Sequence, residues 1–310
     1  MASWQAFAMR TILRFTMKRA GRNGIDVDKT RASLGAPRPE VLKIWPGWNV
    51  GPRVVEGLTF ETYDRADGPT LRDDLVVLYL HGGGYFFGSP QTHRQLALNM
   101  AKRCAAPVFS LDYRLAPEHR FPAALDDAVA AYQWLVKTYP QRRFIIAGDS
   151  AGGGLAINTA LEARSRGLPR PAAVITFSPW TDMAVTGASV DSNNRSCAML
   201  TAKGVREAAQ YYLGNADPRD PRHSPLYADL TGLPPQLVFV STDEVLRDDS
   251  TRLAAKARGQ GVEVELHLVR GVPHVWPIFA RIVPEGRESL RQVQAFVVRT
   301  VPPAQSRAAG

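Results

Sequence analysis

The sequence places a serine between two glycines, in Gly148-Asp149-Ser150-Ala151-Gly152, directly after the apolar run 143–147 and before a segment of helical character. A strand, a sharp turn and a helix in that order form the setting of a nucleophilic serine, because the turn exposes its hydroxyl. The flanking glycines let strand and helix pack closely around the turn, where a Cβ would clash. The alternative is an ordinary serine at a helix N-terminus. The setting favours the nucleophile, so Ser150 is the predicted catalytic residue.

A nucleophilic serine needs a base, and three histidines follow Ser150 in the chain. His267 lies within an alternating strand pattern, where we expect a structural role, and His223 lies in a proline-rich stretch. His274 lies in a loop just past the last predicted strand, from which a side chain can reach back over the sheet edge. The order serine, acid, histidine is that of the α/β-hydrolase triad. His274 is therefore the predicted base.

The acid that orients the histidine should lie after the predicted strand 236–240, where several carboxylates follow closely. The candidates are Asp243, Glu244, Asp248 and Asp249. Asp248 and Asp249 also fit the first turn of a helix, where acidic residues offset the helix dipole. Any carboxylate that accepts the histidine Nδ1–H would fix the tautomer and stabilise the imidazolium. Spacing alone leaves both Asp243 and Glu244 open.

Three glycines follow a histidine in His81-Gly82-Gly83-Gly84, at the end of the apolar run 75–80. A glycine run after a buried strand indicates a place where the backbone approaches another group closely. In lipases and esterases such a loop supplies N–H donors to the oxyanion, together with the N–H after the nucleophile, here Ala151. The alternative, a phosphate-binding loop, would need Gly-Lys-Ser/Thr or Gly-x-Gly-x-x-Gly, which the sequence lacks here. We therefore expect an oxyanion hole.

Apolar runs and amphipathic stretches alternate along the chain between these motifs. The predicted strands are 52–64, 75–80, 107–111, 143–147, 172–177, 236–240 and 262–269. The predicted helices are 93–103, 126–137, 150–166, 203–213, 249–259 and 285–299. This alternation predicts an α/β fold with a mostly parallel central sheet and helices on both faces. The polar stretch 180–230 is predicted to be an insertion over the C-terminal edge of the sheet, where α/β active sites lie.

Residues 1–22 have the pattern of an amphipathic helix, and the irregular stretch 23–50 that follows is predicted to be a linker. One face of the helix carries Trp4, Ala8, Ile12 and Phe15, and another carries Arg10, Arg14 and Lys18. We favour a helix laid over the protein's own apolar surface. The alternative is a helix that lies on a membrane surface, in a protein whose function depends on that contact.

Composition excludes several classes of function. The 310 residues carry 38 Lys and Arg against 29 Asp and Glu, a net charge of +9, but show no nucleic-acid motif and no basic block. Cys104 and Cys197 indicate neither a disulfide framework nor a zinc site, which favours reduced thiols and a cytoplasmic location. No apolar run approaches the ~18 residues of a membrane span, and residues 1–22 lack the features of a signal peptide. We expect no nucleic-acid partner, no stable membrane insertion and no bound metal.

Seven motifs, in this order, make the sequence similar to the bacterial hormone-sensitive-lipase-like carboxylesterases, also called family IV esterases. The resemblance covers residues 70–300. The motifs are His81-Gly82-Gly83-Gly84-Tyr85, residues 112–118 with Phe121-Pro122-Ala123, residues 148–153, Ser178-Pro179-Trp180, Ser224-Pro225-Leu226, Leu246-Arg247-Asp248 and Pro273-His274.

The resemblance implies an α/β-hydrolase core beneath a helical cap. The core comprises residues 51–180 and 215–302, and the cap comprises the N-terminal segment 1–50 and the insertion 181–214. Residues 303–310 form a tail. On this basis the N-terminal helix belongs to the cap.

The resemblance also assigns roles at the site. In the family the acid stands three residues before the arginine of the Leu-Arg-Asp-like motif, which gives Glu244 here and leaves Asp243 as the alternative. The oxyanion donors are then the N–H groups of Gly83, Gly84 and Ala151. The implied activity is hydrolysis of small-molecule esters with short to medium acyl chains, without a metal or organic cofactor, and the implied assembly is a homodimer.

Two other classes of function are alternatives to this interpretation. One is a catalytically inactive protein that binds small molecules on the same fold, as in plant hormone receptors that lack the histidine; the presence of His274 argues against it. The other is the membrane-associated protein described above. Within hydrolases, amidase, lactonase or deacetylase activity would use the same machinery.

Overall fold

The structure is a computed structural model that describes residues 2–19, 24–35, 46–67 and 70–303. Parts of the predicted N-terminal helix 1–22 and of the predicted linker 23–50 lie outside the described residues. The same holds for the predicted tail 303–310 beyond its first residue.

The described residues form one sheet of eight strands. The strands are β1 (Trp48–Val55), β2 (Leu58–Arg65), β3 (Leu75–Leu80), β4 (Val108–Leu111), β5 (Arg143–Asp149), β6 (Ala173–Phe177), β7 (Gln236–Ser241) and β8 (Val264–Val269). Their order across the sheet is β1-β2-β4-β3-β5-β6-β7-β8. The pairs β1–β2 and β2–β4 are antiparallel, and all other neighbours are parallel. Strands β3, β6 and β7 are buried along their whole length, as their continuous apolar sequences require in a covered parallel sheet.

Helices cover both faces of this sheet. The helices are α1 (Trp4–Leu13), α2 (Val27–Thr30), α3 (Arg94–Cys104), α4 (Ala123–Thr138), α5 (Ser150–Ser165), α6 (Ser189–Ser192), α7 (Ala202–Leu213), α8 (Arg247–Gly259) and α9 (Pro284–Thr300). Helices α4, α5 and α8 contribute to one hydrophobic core, and α3 and α9 contribute to the other. The predicted α/β fold with a mostly parallel sheet and helices on both faces is therefore confirmed.

The predicted strand 52–64 is wrong, because the chain turns in its middle. Strands β1 and β2 form an antiparallel hairpin that pairs Val55 with Leu58 across a two-residue turn. The turn residues Glu56 and Gly57 both have positive φ, 50° and 80°. A turn of this kind matches the twist of the two strands, but it is usually marked by Asn or Asp before the glycine. Glutamate at that position hid the turn in the sequence.

The N-terminal helix lies against the protein with a face other than the predicted one. Trp4, Ile12 and Phe15 are 75%, 56% and 68% exposed, whereas Ala6 and Leu13 are buried. Periodicity identified which residues share a face but not which face is covered, and the structure places Ala6 in the same hydrophobic core as α3 and α9. No helix in the described ranges is long and apolar enough to cross a membrane.

Candidate active site

Ser150 stands at the junction between β5 and α5. Its φ of 53° lies in the left-handed region, which is uncommon for a residue with a side chain. A Cβ on Gly152 would lie 2.1 Å from the carbonyl oxygen of Leu80, so only glycine lets α5 begin this close to β3. The half-buried Ser150 is thus held on a strained strand-to-helix turn, which is the conformation of a nucleophile elbow.

The side chains of Ser150, His274 and Glu244 form one chain of hydrogen bonds. His274 Nε2 lies 2.9 Å from Ser150 Oγ. On the other side of the ring, His274 Nδ1 is hydrogen-bonded to Glu244 Oε2. The second carboxylate oxygen, Oε1, accepts the backbone N–H of Ser241 at 3.0 Å. Both His274 and Glu244 are buried, at 3% and 1% exposure, so their contact is shielded from water.

The other acidic candidates bind groups other than His274. Asp243 Oδ2 lies 2.9 Å from Arg10 Nη1, on the N-terminal helix. Asp248 and Asp249 lie in the first turn of α8, as expected. Asp248 accepts the backbone N–H of Ser189 at 2.8 Å, and Asp249 accepts two backbone N–H groups of the segment after β6. Burial raises the pKa of Asp249 to about 8.

The two remaining histidines that follow the serine make structural contacts. His267 Nε2 lies 2.7 Å from Glu265 Oε1, and its ring stacks on Phe239. His223 is buried with its ring edge-to-face against Phe121. The structure brings His274 to Ser150 and leaves His223 and His267 elsewhere.

The glycine loop after β3 takes a conformation that side chains would block. Gly83 has a φ of +123°, and a Cβ there would lie 2.0 Å from the carbonyl oxygen of Phe87. Among the described residues, no hydrogen-bond acceptor is found for the N–H groups of Gly83 and Gly84. Ala151 lies in the first turn of α5, where N–H groups have no acceptor within the helix. All three predicted donors can therefore serve a ligand.

Asp149, the residue before the nucleophile, connects the elbow to the glycine loop. Its Oδ1 accepts the backbone N–H of Gly82 at 3.1 Å and the hydroxyl of Tyr79 at 2.5 Å. Its Oδ2 lies 3.4 Å from His93 Nε2. Sequence reasoning did not single out Asp149, although its place between glycine and serine in the elbow motif was a signal that could have led to it.

The pKa values of two histidines beside Asp149 are shifted in opposite directions. Burial opposes the charged form of His93, but the nearby Asp149 carboxylate and its hydrogen bond raise the pKa of His93 overall. Burial likewise opposes ionisation of Asp149, yet the charge of His93 and hydrogen bonds from His93 and Tyr79 lower its pKa. Burial lowers the pKa of His81 to about 3, so this ring is neutral and stacks on Tyr113 at 4.3 Å.

The loop that carries Glu244 is held by side chains of the segment 193–197. Asn193 Nδ2 donates to the backbone carbonyl oxygens of Thr242 and Glu244, at 2.9 and 3.0 Å. Ser196 Oγ donates to the carbonyl oxygen of Asp243 at 2.9 Å. The segment is in turn bound by the N-terminal helix, since Lys18 Nζ donates to the carbonyl oxygen of Cys197 at 2.8 Å. None of these anchoring residues was predicted, because nothing in their spacing indicates the loop they contact.

The chain is similar to known proteins over most of its length. The family model of the alpha/beta hydrolase fold matches residues 77–278. An acetyl-hydrolase of Streptomyces hygroscopicus is 42% identical over 230 residues, which are 74% of this chain and 77% of that protein. An esterase of Acinetobacter venetianus is 36% identical over 223 residues, 71% of this chain and 74% of its own length.

A solved structure, an esterase from the bacterial hormone-sensitive lipase family, superimposes with a TM-score of 0.88 at 37% identity. The match covers 97% of this chain and 99% of that one. The chain belongs to the α/β-hydrolase family and, within it, to the bacterial hormone-sensitive-lipase-like esterases.

Proposed function

We propose that this carboxylic ester hydrolase works through an acyl-enzyme formed on Ser150. The Ser150 hydroxyl attacks the acyl carbon while His274 takes its proton, and His274 then gives that proton to the leaving alcohol. Glu244 accepts the Nδ1–H bond, which fixes the tautomer of His274 and stabilises the imidazolium. A water molecule that His274 activates then hydrolyses the acyl-enzyme, which restores the free hydroxyl.

The observation that carries this proposal is the continuous hydrogen-bond chain from Ser150 through His274 to a buried Glu244. Glu244 is held at both carboxylate oxygens, because its Oε1 also accepts the N–H of Ser241. A carboxylate fixed in this way holds the imidazole with Nε2 toward the nucleophile, as a general base requires.

The oxyanion of the tetrahedral intermediate would be bound by the N–H groups of Gly83, Gly84 and Ala151. Loss of one such donor typically costs ~2.7–4 kcal/mol of transition-state stabilisation. The free N–H groups and the constrained glycine loop support this assignment. The contact of Asp149 with Gly82 would hold the loop at a constant distance from the nucleophile.

We also propose that the chain consists of a core, residues 51–180 and 215–302, beneath a cap, residues 1–50 and 181–214. Contacts between the two cap segments support it. The backbone N–H of Ile25 donates to Glu207 on α7 at 2.8 Å, and Tyr211 on the same helix lies beside the Phe86 ring of the glycine loop. A cap in this position limits the length of the acyl group.

The substrate class follows from the cap and from the relatives. We infer esters with short to medium acyl chains, and the acetyl-hydrolase named above supports the short end of that range. No metal or organic cofactor enters the proposed reaction. A homodimer and a cytoplasmic location remain predictions; the two cysteines, Cys104 and Cys197, are buried free thiols.

The proposal is tested by turnover of p-nitrophenyl esters of increasing acyl length, measured as kcat/KM. We expect the highest value among the short and medium chains and a steep fall for long chains. A maximum at the longest chains would contradict the proposed substrate class, and no turnover of any ester would contradict the proposed activity.

A further inference from the structure

Large apolar side chains are exposed together on the N-terminal helix and on its continuation, the π-helical turn Arg14–Lys18. Trp4, Phe7, Ile12 and Phe15 are 75%, 71%, 56% and 68% exposed. The α1 apolar face is our name for these four side chains. Isolated exposed apolar residues are common on proteins, but a group of this size with three aromatic rings marks a contact surface.

The opposite side of the helix is fixed to the protein, so α1 cannot rotate to bury this face. Ser3 Oγ donates to Glu285 at the start of α9, at 2.8 Å. Arg10 pairs with Asp243 at 2.9 Å, and Lys18 binds the carbonyl oxygen of Cys197. The α1 apolar face is therefore presented outward by several bonds along the length of the helix.

The charged side chains of the helix itself are all positive. Residues 2–19 contain four basic side chains and no acidic one. Arg10 and Lys18 face the protein, whereas Arg14 and Arg19 are exposed, although Arg14 Nη2 also donates to the carbonyl oxygen of Ser196 at 2.9 Å. At the beginning of the helix, exposed Arg270 precedes Gly271, whose backbone approaches Ala2. The whole chain carries a net charge of +9.

An apolar face with aromatic residues and a cationic border fits the interface of an anionic lipid surface. Such helices lie in the plane of the membrane, with aromatic rings at the level of the headgroups and basic side chains near the phosphates. A second copy of the chain fits less well, because a symmetric contact would bring like charges of the two helices together. We propose that the protein attaches peripherally to an anionic lipid surface through the α1 apolar face.

This binding does not depend on the proposed esterase reaction. It also differs from membrane insertion, because a helix of ten residues lies in the interface without spanning the bilayer. Hydrophobic burial and phosphate attraction would both contribute, so the affinity should fall with added salt.

The test is co-sedimentation of the full chain with vesicles of phosphatidylcholine alone or mixed with phosphatidylglycerol. We expect binding to the mixed vesicles, weaker by about tenfold without the anionic lipid. The variant Trp4→Ser/Phe7→Ser/Phe15→Ser should lose at least about tenfold in affinity. The control Val54→Ser/Val298→Ser removes apolar side chains that are 70% and 60% exposed on other elements, and it should bind like wild type.

Equal binding by wild type and the triple variant, or no binding of wild type to the mixed vesicles, would overturn the proposal. Light scattering is measured in parallel: a dimer that the triple variant abolishes, without vesicle binding by wild type, would assign the face to a second copy. Turnover of a soluble ester by wild type tests the proposed function separately, so each proposal can fail without the other.

Discussion

Asp243 and Glu244 are adjacent in the chain, yet their carboxylates bind different partners. Asp243 binds Arg10 of the N-terminal helix at 2.9 Å, while Glu244 is buried against His274. The difference lies in the turn after β7, where the backbone N–H of Ser241 donates to Oε1 of Glu244 at 3.0 Å. One carboxylate is thereby directed to His274 and the other to the N-terminal helix.

Exchange of the two acids for amides should therefore have very different effects. Glu244→Gln should lower kcat by about 10³–10⁴-fold, because the amide no longer stabilises the imidazolium and favours the wrong tautomer. Asp243→Asn removes only a partly exposed ion pair and should change kcat by less than about tenfold. Both are measured with a p-nitrophenyl ester. A larger loss in Asp243→Asn would contradict the assigned acid.

The support of the acid loop is tested at Asn193, whose side chain binds the carbonyl oxygens of Thr242 and Glu244. Asn193→Ala should lower kcat by about tenfold and leave KM little changed, since each lost bond weakens the loop by about 1 kcal/mol. Asn194→Ala is the matched control, because Asn194 Oδ1 accepts the N–H of Ala202 instead. Equal losses in both variants would show a general effect of the segment on stability.

The glycine loop is tested by an added methyl group. Gly83→Ala forces a Cβ toward the carbonyl oxygen of Phe87, so the loop must move. We expect kcat to fall by at least about 10²-fold, the loss typical of one oxyanion donor. Gly57→Ala is the control, since Gly57 also has positive φ but open space around it. Unchanged kcat in Gly83→Ala would argue against the proposed oxyanion hole.

The ion pair of His93 with Asp149 predicts a pH dependence of stability. The pKa of His93 is higher in the folded protein than in the unfolded chain. The contribution of His93 to the free energy of unfolding is therefore fully present below the unfolded-state pKa and is lost as pH rises through the folded-state pKa. Asp149 has a lowered pKa, so its contribution is lost as pH falls through the folded-state value. Burial lowers the pKa of His81 to about 3, so its ring stays neutral in the folded protein while the unfolded chain takes up a proton there, and His81 therefore lowers stability as pH falls through its unfolded-state pKa in wild type and variant alike.

His93→Gln keeps a hydrogen-bond donor toward Asp149 but removes the charge. Its free energy of unfolding, measured by urea denaturation, should differ most from wild type on the acidic side of neutrality. The difference should shrink as pH rises above the range in which His93 is charged. A difference that is constant from mildly acidic to alkaline pH would show that His93 carries no charge in the folded protein.

Much of the fold and part of the site could be predicted from sequence, for identifiable reasons. Ser150 and His274 are marked by local patterns, the elbow and a loop after the last strand, and the structure brings them together. The residues alone could not decide whether Asp243 or Glu244 is the acid, because the partners of adjacent side chains depend on backbone hydrogen bonds within the turn. Resemblance to the family supplied the choice of Glu244.

Other features depend on contacts that are distant in sequence. The outward direction of Trp4 and Phe15 follows from how α1 is anchored, and helical periodicity does not contain that information. Asn193 acts on a loop about fifty residues away in sequence, and no local pattern connects the two. Asp149 was within a recognised motif, but its role appears only once the glycine loop lies beside it.

The central claim, an acyl-enzyme on Ser150, is tested most directly by labelling with an organophosphonate and locating the adduct by mass spectrometry of proteolytic peptides. The account predicts one adduct, on Ser150, and no labelling of a folded Ser150→Ala variant. An adduct on another residue, or labelling of Ser150→Ala at the wild-type rate, would contradict it.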